Sequence, residues 1–128
     1  MTNRTPSITR VDFVPIPTQD VARTTAFYRD TLGLAESEHT VDKPFSEFDL
    51  AGTTLSVWDP SSVGQEFAAN TNPVALHTDD VQAMRDQLEG KGVAFFGPTV
   101  DTGVCHMAFF GDPDGNPLML HGRYVPRG

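Results

Sequence analysis

The chain has 128 residues, enough for one compact domain or two small repeats packed as one, and too few for two independent domains. Hydrophobic residues make up 38% and charged residues 20%, a balance that supports a buried core and argues against wholesale disorder. The formal charge of −8 argues against nucleic acid or an anionic membrane as main partner, and the single cysteine, Cys105, leaves no internal disulfide and no Cys-based zinc knuckle. Met1 to Arg10 has no apolar run resembling a signal peptide, and no segment reaches membrane-spanning length, so a soluble, cytoplasmic protein is expected.

Ile8 to Ile16 reads as a strand, with Pro15 and Pro17 marking an edge-like end. Asp20 then caps a helix over Val21–Leu32, closed by Gly33, with Val21, Thr24, Thr25, Tyr28 and Leu32 on one stripe. Strands are expected at Leu34–Thr40, Phe45–Leu50 and Thr53–Trp58, the last two joined by Ala51-Gly52 as a tight hairpin. A polar connector, Asp59–Asn72, precedes a second cycle: a strand over Val74–Thr78 and a helix over Val81–Glu89, capped by Asp80 and ended by Gly90 and Gly92. Further strands are expected at Val93–Phe96, Val104–Phe110 and Pro117–His121, with Asp112-Pro113-Asp114-Gly115-Asn116 turning between the last two.

The order strand–helix–strand–strand–strand thus occurs twice. Asp20-Val21 recurs as Asp80-Val81, and Gly52-x-x-Leu55 as Gly115-x-x-Leu118. An α+β fold of two tandem βαβββ modules follows, about 8–58 and 73–123, in a single domain. Each module is a curved four-stranded sheet with one helix, and because one helix covers one face, the other face forms a cleft.

Alternation along the strands sorts the side chains. With Val14, Ile16, Leu55, Val57, Val74, Leu76, Leu118 and Leu120 in the core, the cleft receives Phe13, Pro15, Thr54, Ser56, Trp58, Ala75, His77, Met119 and His121. The strand carrying Phe109 and Phe110 is less decided by pattern, since both are bulky.

The string Asp20-Val21-x5-Phe27-Tyr28-x3-Leu32-Gly33-Leu34, the repeated βαβββ units and Ala108-Phe109-Phe110-Gly111-Asp112-Pro113-Asp114-Gly115-Asn116 resemble the vicinal oxygen chelate superfamily. It includes glyoxalase I, extradiol dioxygenases and bleomycin-resistance proteins. The resemblance runs from Ile8 to Arg123 and speaks to fold rather than reaction. It implies a homodimer in which modules from two chains complete each cleft. It also implies, where chemistry is metal-dependent, a divalent ion held by His, Gln or Glu at four equivalent strand positions. Here those positions carry Phe13, Ser56, Pro73 and Met119, so neither a family metal site nor a cofactor is expected.

What remains for the cleft is apolar and aromatic: Phe13, Ser56, Trp58, Cys105, Met107, Phe109 and Met119 as ligand-binding residues, with Trp58 and His121 at matching positions of the two modules. The alternative is that these side chains interlock and fill the space as core. His77, His121 and Glu47 are the candidate proton-transfer residues, with rim histidines and solvated acids as the plainer outcome. His106 falls on the opposite parity from Phe109, and His39 on a polar, solvated strand edge. Cys105 reads as a small buried hydrophobe. Three functions fit: a metal-independent protein binding an apolar or aromatic drug or metabolite, a metal-free isomerase, cyclase or lyase, and a dimeric scaffold with a filled cleft.

Overall fold

The computed structural model describes residues 5–127. The first half gives β1 (Phe13–Pro17), α1 (Val21–Ala26) running into a π-helical turn (Phe27–Thr31), β2 (Phe45–Leu50) and β3 (Thr53–Trp58). The second half gives β4 (Val74–His77), α2 (Val81–Gly90), β5 (Val100–Asp101), β6 (Cys105–Gly111) and β7 (Pro117–Arg123). Strand order is β1-β3-β2 in one sheet and β4-β7-β6-β5 in the other. In each half the first strand runs parallel to the last, and the hairpin pair is antiparallel. This is the expected α+β repeat, with each helix on one face of its own sheet.

Both helices begin as their sequences dictate. The Asp20 carboxylate accepts from Arg23 N at 3.1 Å and that of Asp80 from Ala83 N at 3.0 Å, each satisfying an otherwise orphaned amide. Gly33, with φ of 77°, takes the left-handed conformation that ends the first helix. The helix before it departs from expectation: beyond Ala26 the ladder widens, and Leu32 N donates to Phe27 O at 3.0 Å.

Three expected strands are corrected. β1 starts at Phe13, not Ile8, because its parallel partner β3 begins at Thr53 and leaves residues 8–11 nothing to pair with; Ile8 is 99% exposed. The strand expected at Leu34–Thr40 shrinks to one bridge, Glu36 to Phe48, followed by a 3-10 turn, Glu38–Thr40. There the Thr40 N–H and hydroxyl both donate to Ser37 O, diverting the backbone from the sheet. The first sheet therefore has three strands rather than four. At Val93–Phe96 only Phe95 bridges, to Phe110; Gly97-Pro98 interrupts before β5 resumes at Val100.

The core lies between sheets and helices. Ile16, Tyr28, Phe48 and Val57 from the first half and Leu88, Ala108, Phe110 and Leu118 from the second are fully buried. Gly122 permits a close crossing: a Cβ there would stand 2.8 Å from Thr78 O and 3.3 Å from Val81 Cγ2. Gly122→Ala is expected to cost about 1–3 kcal/mol, the usual range for forced overpacking, read as a lower urea midpoint at unchanged slope.

Polar bonds tie the two halves together. The Asp112–Asn116 turn reaches back to the β1–α1 corner, where Tyr28 Oη donates to Asp112 at 2.8 Å and Asn116 Nδ2 to Pro17 O at 2.8 Å. Burial first, then the adjacent Asp112 carboxylate, pushes the Tyr28 phenol far above its ordinary value, so it stays an O–H donor. Among the described residues no helix is long and apolar enough to cross a membrane.

Candidate functional site

The faces of the two sheets turned away from the helices carry the residues singled out from the sequence. In the first sheet Phe13 pairs with Thr54, Pro15 with Ser56 and Pro17 with Trp58, while β2 brings Phe45 beside Trp58, Glu47 beside Ser56 and Asp49 beside Thr54. Apart from Pro17, which is buried at the end of β1, these alternate with the buried Ile16, Leu55, Val57, Ser46 and Phe48, so they share the open face. Phe13 is 56% exposed, whereas Ser56 and Trp58 are half-buried.

In the second sheet Ala75 pairs with Met119 and His77 with His121, and β6 adds Phe109 beside Met119 and Met107 beside His121. Phe109 and Phe110, which pattern alone left open, separate cleanly: Phe110 is fully buried under the helix and Phe109 is half-buried on the open face. Met107, Met119 and His121 are half-buried, His77 exposed. Cys105 shares the strand parity of Met107 and Phe109 and is buried, its sulfur 3.1 Å from Thr102 Oγ1.

The register thus brings Phe13, Ser56 and Trp58 together on one sheet, and Met107, Phe109, Met119, His77 and His121 on the other. In a single chain the surface is open, and a hollow of about 380 Å³ lies at the Phe13 end, walled by Glu47, Asp49 and Thr54. His106 lies on the opposite face, as its parity requires; its ring packs on Tyr124 with centroids 4.8 Å apart. His77 Nε2 is 3.2 Å from an Asp79 carboxylate oxygen.

Glu47 is less free than its position suggested. His39 Nε2 meets its Oε1 at 2.7 Å, and His39 Nδ1 meets Ser37 Oγ at 2.6 Å. The His39 side chain is exposed, as its polar strand edge predicts, but its partners Ser37 and Glu47 are not legible in the pattern. The signal that would have found them is the turn that brings this segment back along β2, which a strand assignment at Leu34–Thr40 hides.

The positions that would carry a family metal can be judged by their donors. Phe13 and Pro73 offer no donor atom, Ser56 a neutral hydroxyl and Met119 a thioether. That set does not fit a hard or borderline divalent cation, which takes imidazole and carboxylate. Among the described residues no three His, Cys, Asp or Glu side chains group to hold a metal ion.

Two helix-backed sheets with parallel outer pairs, tied by an Asp-Pro-x-Gly-Asn turn, define the class of fold, and sequence comparison identifies the family. The Glyoxalase/Bleomycin resistance protein/Dioxygenase superfamily model matches residues 10–120, and the chain belongs to that superfamily. Among solved structures, TnmS3, an antibiotic binding protein from Streptomyces sp. CB03234, is 28% identical with a TM-score of 0.75, over 93% of this chain and 99% of that one. A superfamily member from Sphaerobacter thermophilus DSM 20745 is 26% identical with a TM-score of 0.73, over 89% and 97%. Lactoylglutathione lyase from Agrobacterium tumefaciens, at 17% identity, shares the fold with a TM-score of 0.75, over 90% and 94%. No curated protein matches the chain.

Proposed function

We propose that this protein binds an apolar or aromatic small molecule, a drug or metabolite, on the open face of its sheets, without a metal ion. The observation that carries the reading is that half-buried Trp58 lies on the open face of one sheet and half-buried Met107, Phe109 and Met119 on the open face of the other. Flat rings and polarizable thioethers bind planar apolar ligands by area and stacking, and need no reactive group. The likeness to an antibiotic binding protein at 28% identity supports it, as does a donor set unsuited to the family ion. A second copy laid against the open face would enclose the ligand, so the working form in this reading is a homodimer with two equivalent sites.

Trp58 is the only tryptophan, so its fluorescence reports directly on the face. Titration with bleomycin and with the planar dye 1-anilinonaphthalene-8-sulfonate is expected to quench it saturably, equally with and without EDTA, and to raise the melting temperature. Trp58→Ala should weaken dye binding about tenfold, the equivalent of losing one good aromatic contact. Loss of binding in EDTA overturns the metal-free reading. Absence of any ligand-induced shift in melting temperature leaves the dimeric scaffold.

The pairing of His77 with His121 on the same face favours a second reading, a metal-free isomerase, cyclase or lyase using His77, His121 or Glu47 for proton transfer. A bell-shaped pH–rate profile that collapses in His121→Gln would distinguish it from a protein that only binds.

A further inference from the structure

We propose that Ser37 is an activated nucleophile, with His39 as its general base and Glu47 as the carboxylate that orients the imidazole, and that it accepts acyl groups from small aryl esters. The three side chains form one line of hydrogen bonds. Ser37 Oγ lies 2.6 Å from His39 Nδ1, and His39 Nε2 lies 2.7 Å from Glu47 Oε1. An ionised carboxylate can only accept, so the Nε2 proton belongs to the bond with Glu47. Nδ1 then carries the lone pair and takes the Ser37 hydroxyl proton. Nucleophile, base and orienting acid thus stand in the order that nucleophilic catalysis by serine requires, with the two ring nitrogens in exchanged roles.

Ser37 is not spent on the local structure. It precedes the 3-10 turn at a capping position, yet its side chain makes no capping bond and turns to His39 instead. The frame around the line is fixed. Ser37 N donates to Glu47 O at 2.7 Å, Glu47 N donates to Thr40 Oγ1 at 3.2 Å, and the Thr40 hydroxyl donates to Ser37 O at 3.0 Å. Thr40 itself is 1% exposed, which anchors the loop to the sheet.

Exposure decides the substrate. The His39 side chain is 70% exposed and that of Glu47 26%, so water reaches the line and no closed pocket holds a peptide or an amide. Esters with good leaving groups, which need little help in departing, are the fitting class. Ser37 Oγ attacks the ester carbonyl carbon and its proton passes to Nδ1. The tetrahedral intermediate collapses, the C–O bond to the aryl oxide breaks, the proton on Nδ1 passes to the departing aryl oxide, and the acyl group stays on Ser37. Water, deprotonated by the now free Nδ1, attacks the acyl carbon; the bond from that carbon to Ser37 Oγ breaks, the proton returns from Nδ1 to Oγ, and the carboxylic acid leaves.

The test is intact-mass and peptide mapping of the full chain after exposure to p-nitrophenyl acetate, with release of p-nitrophenol followed in parallel. One acetyl group is expected on Ser37, formed at least tenfold more slowly in His39→Gln and in Glu47→Gln, and absent in Ser37→Ala. Ser62→Ala, on the 3-10 turn Pro60–Val63, serves as control and should acetylate as the parent does. Unchanged melting temperatures exclude misfolding as the cause of a loss. Acetylation at other residues only, or undiminished nitrophenol release from Ser37→Ala, overturns the proposal. So does a Ser37 adduct whose rate ignores His39 and Glu47.

Discussion

Replacing Asp114 with alanine is expected to remove about 3 kcal/mol of stability at neutral pH, within the range for breaking a buried charged network. The Asp114 side chain is fully buried, and its two oxygens hold the β1–α1 corner together. The hydroxyls of Thr18 and Thr24 each donate to Oδ2 at 2.6 Å, Gln19 N donates to Oδ1 at 3.0 Å, and Arg23 Nη2 stands 2.9 Å from Oδ1. Thr18 and Thr24 are both fully buried, so alanine would take the charged acceptor from two hydroxyls and leave them only each other and Asp20 O, each at 3.0 Å. The damage falls between the halves, because Asp114 belongs to the β6–β7 turn and its donors to the opposite module.

The same carboxylate sets part of the response to acid. Burial alone would raise its pKa, but the Thr18 and Thr24 hydroxyls, the Gln19 amide and the Arg23 charge together outweigh it and hold the group below its ordinary value. A group depressed in the folded state contributes stability above its unfolded pKa, about 3.9 for an aspartate, and that contribution is lost as pH falls through the lower folded value. Urea midpoints from pH 7 downward should therefore fall more steeply in the parent than in Asp114→Asn. Equal acid slopes in the two proteins would show that the latch carries no net charge-linked stability.

Features read from the sequence succeeded where the deciding interactions are local. The helix starts need only an aspartate and the amide three residues on, and both Asp20 and Asp80 cap as expected. The hairpin strands over Phe45–Leu50 and Thr53–Trp58 need only a two-residue turn and alternation. Their register then fixed which side chains share the open face. What failed depends on distant partners. Nothing in Ile8–Asp12 reveals that β3 is too short to pair with it, and nothing in Leu34–Thr40 reveals that Thr40 bonds back to Ser37. Asp112 and Asp114 carry good turn chemistry, which accounts for both residues locally and leaves no trace in the sequence of their bonds to Tyr28, Thr18 and Thr24. The line Ser37–His39–Glu47 was invisible for the same reason: its members meet only after the loop folds back onto β2.

Phe109 and Phe110 are adjacent in sequence, yet their alanine variants are expected to fail in opposite ways. Phe110 is fully buried and packs on Phe95 with ring centroids 5.0 Å apart. Its truncation should cost about 3–5 kcal/mol, from lost transfer energy and a cavity that its neighbours cannot close. Whatever folded protein remains should bind the dye as before, since that ring never reaches the open face. Phe109 lies beside Met119 on that face and is half-buried in the single chain. Its truncation should move stability by less than about 1 kcal/mol, because less surface returns to water, while lowering dye affinity. The contrast separates a binding face from a hidden core. If Phe109→Ala unfolds as readily as Phe110→Ala, the open face is packed shut in solution, and the rings of Trp58, Phe109 and their neighbours hold the protein together rather than a ligand.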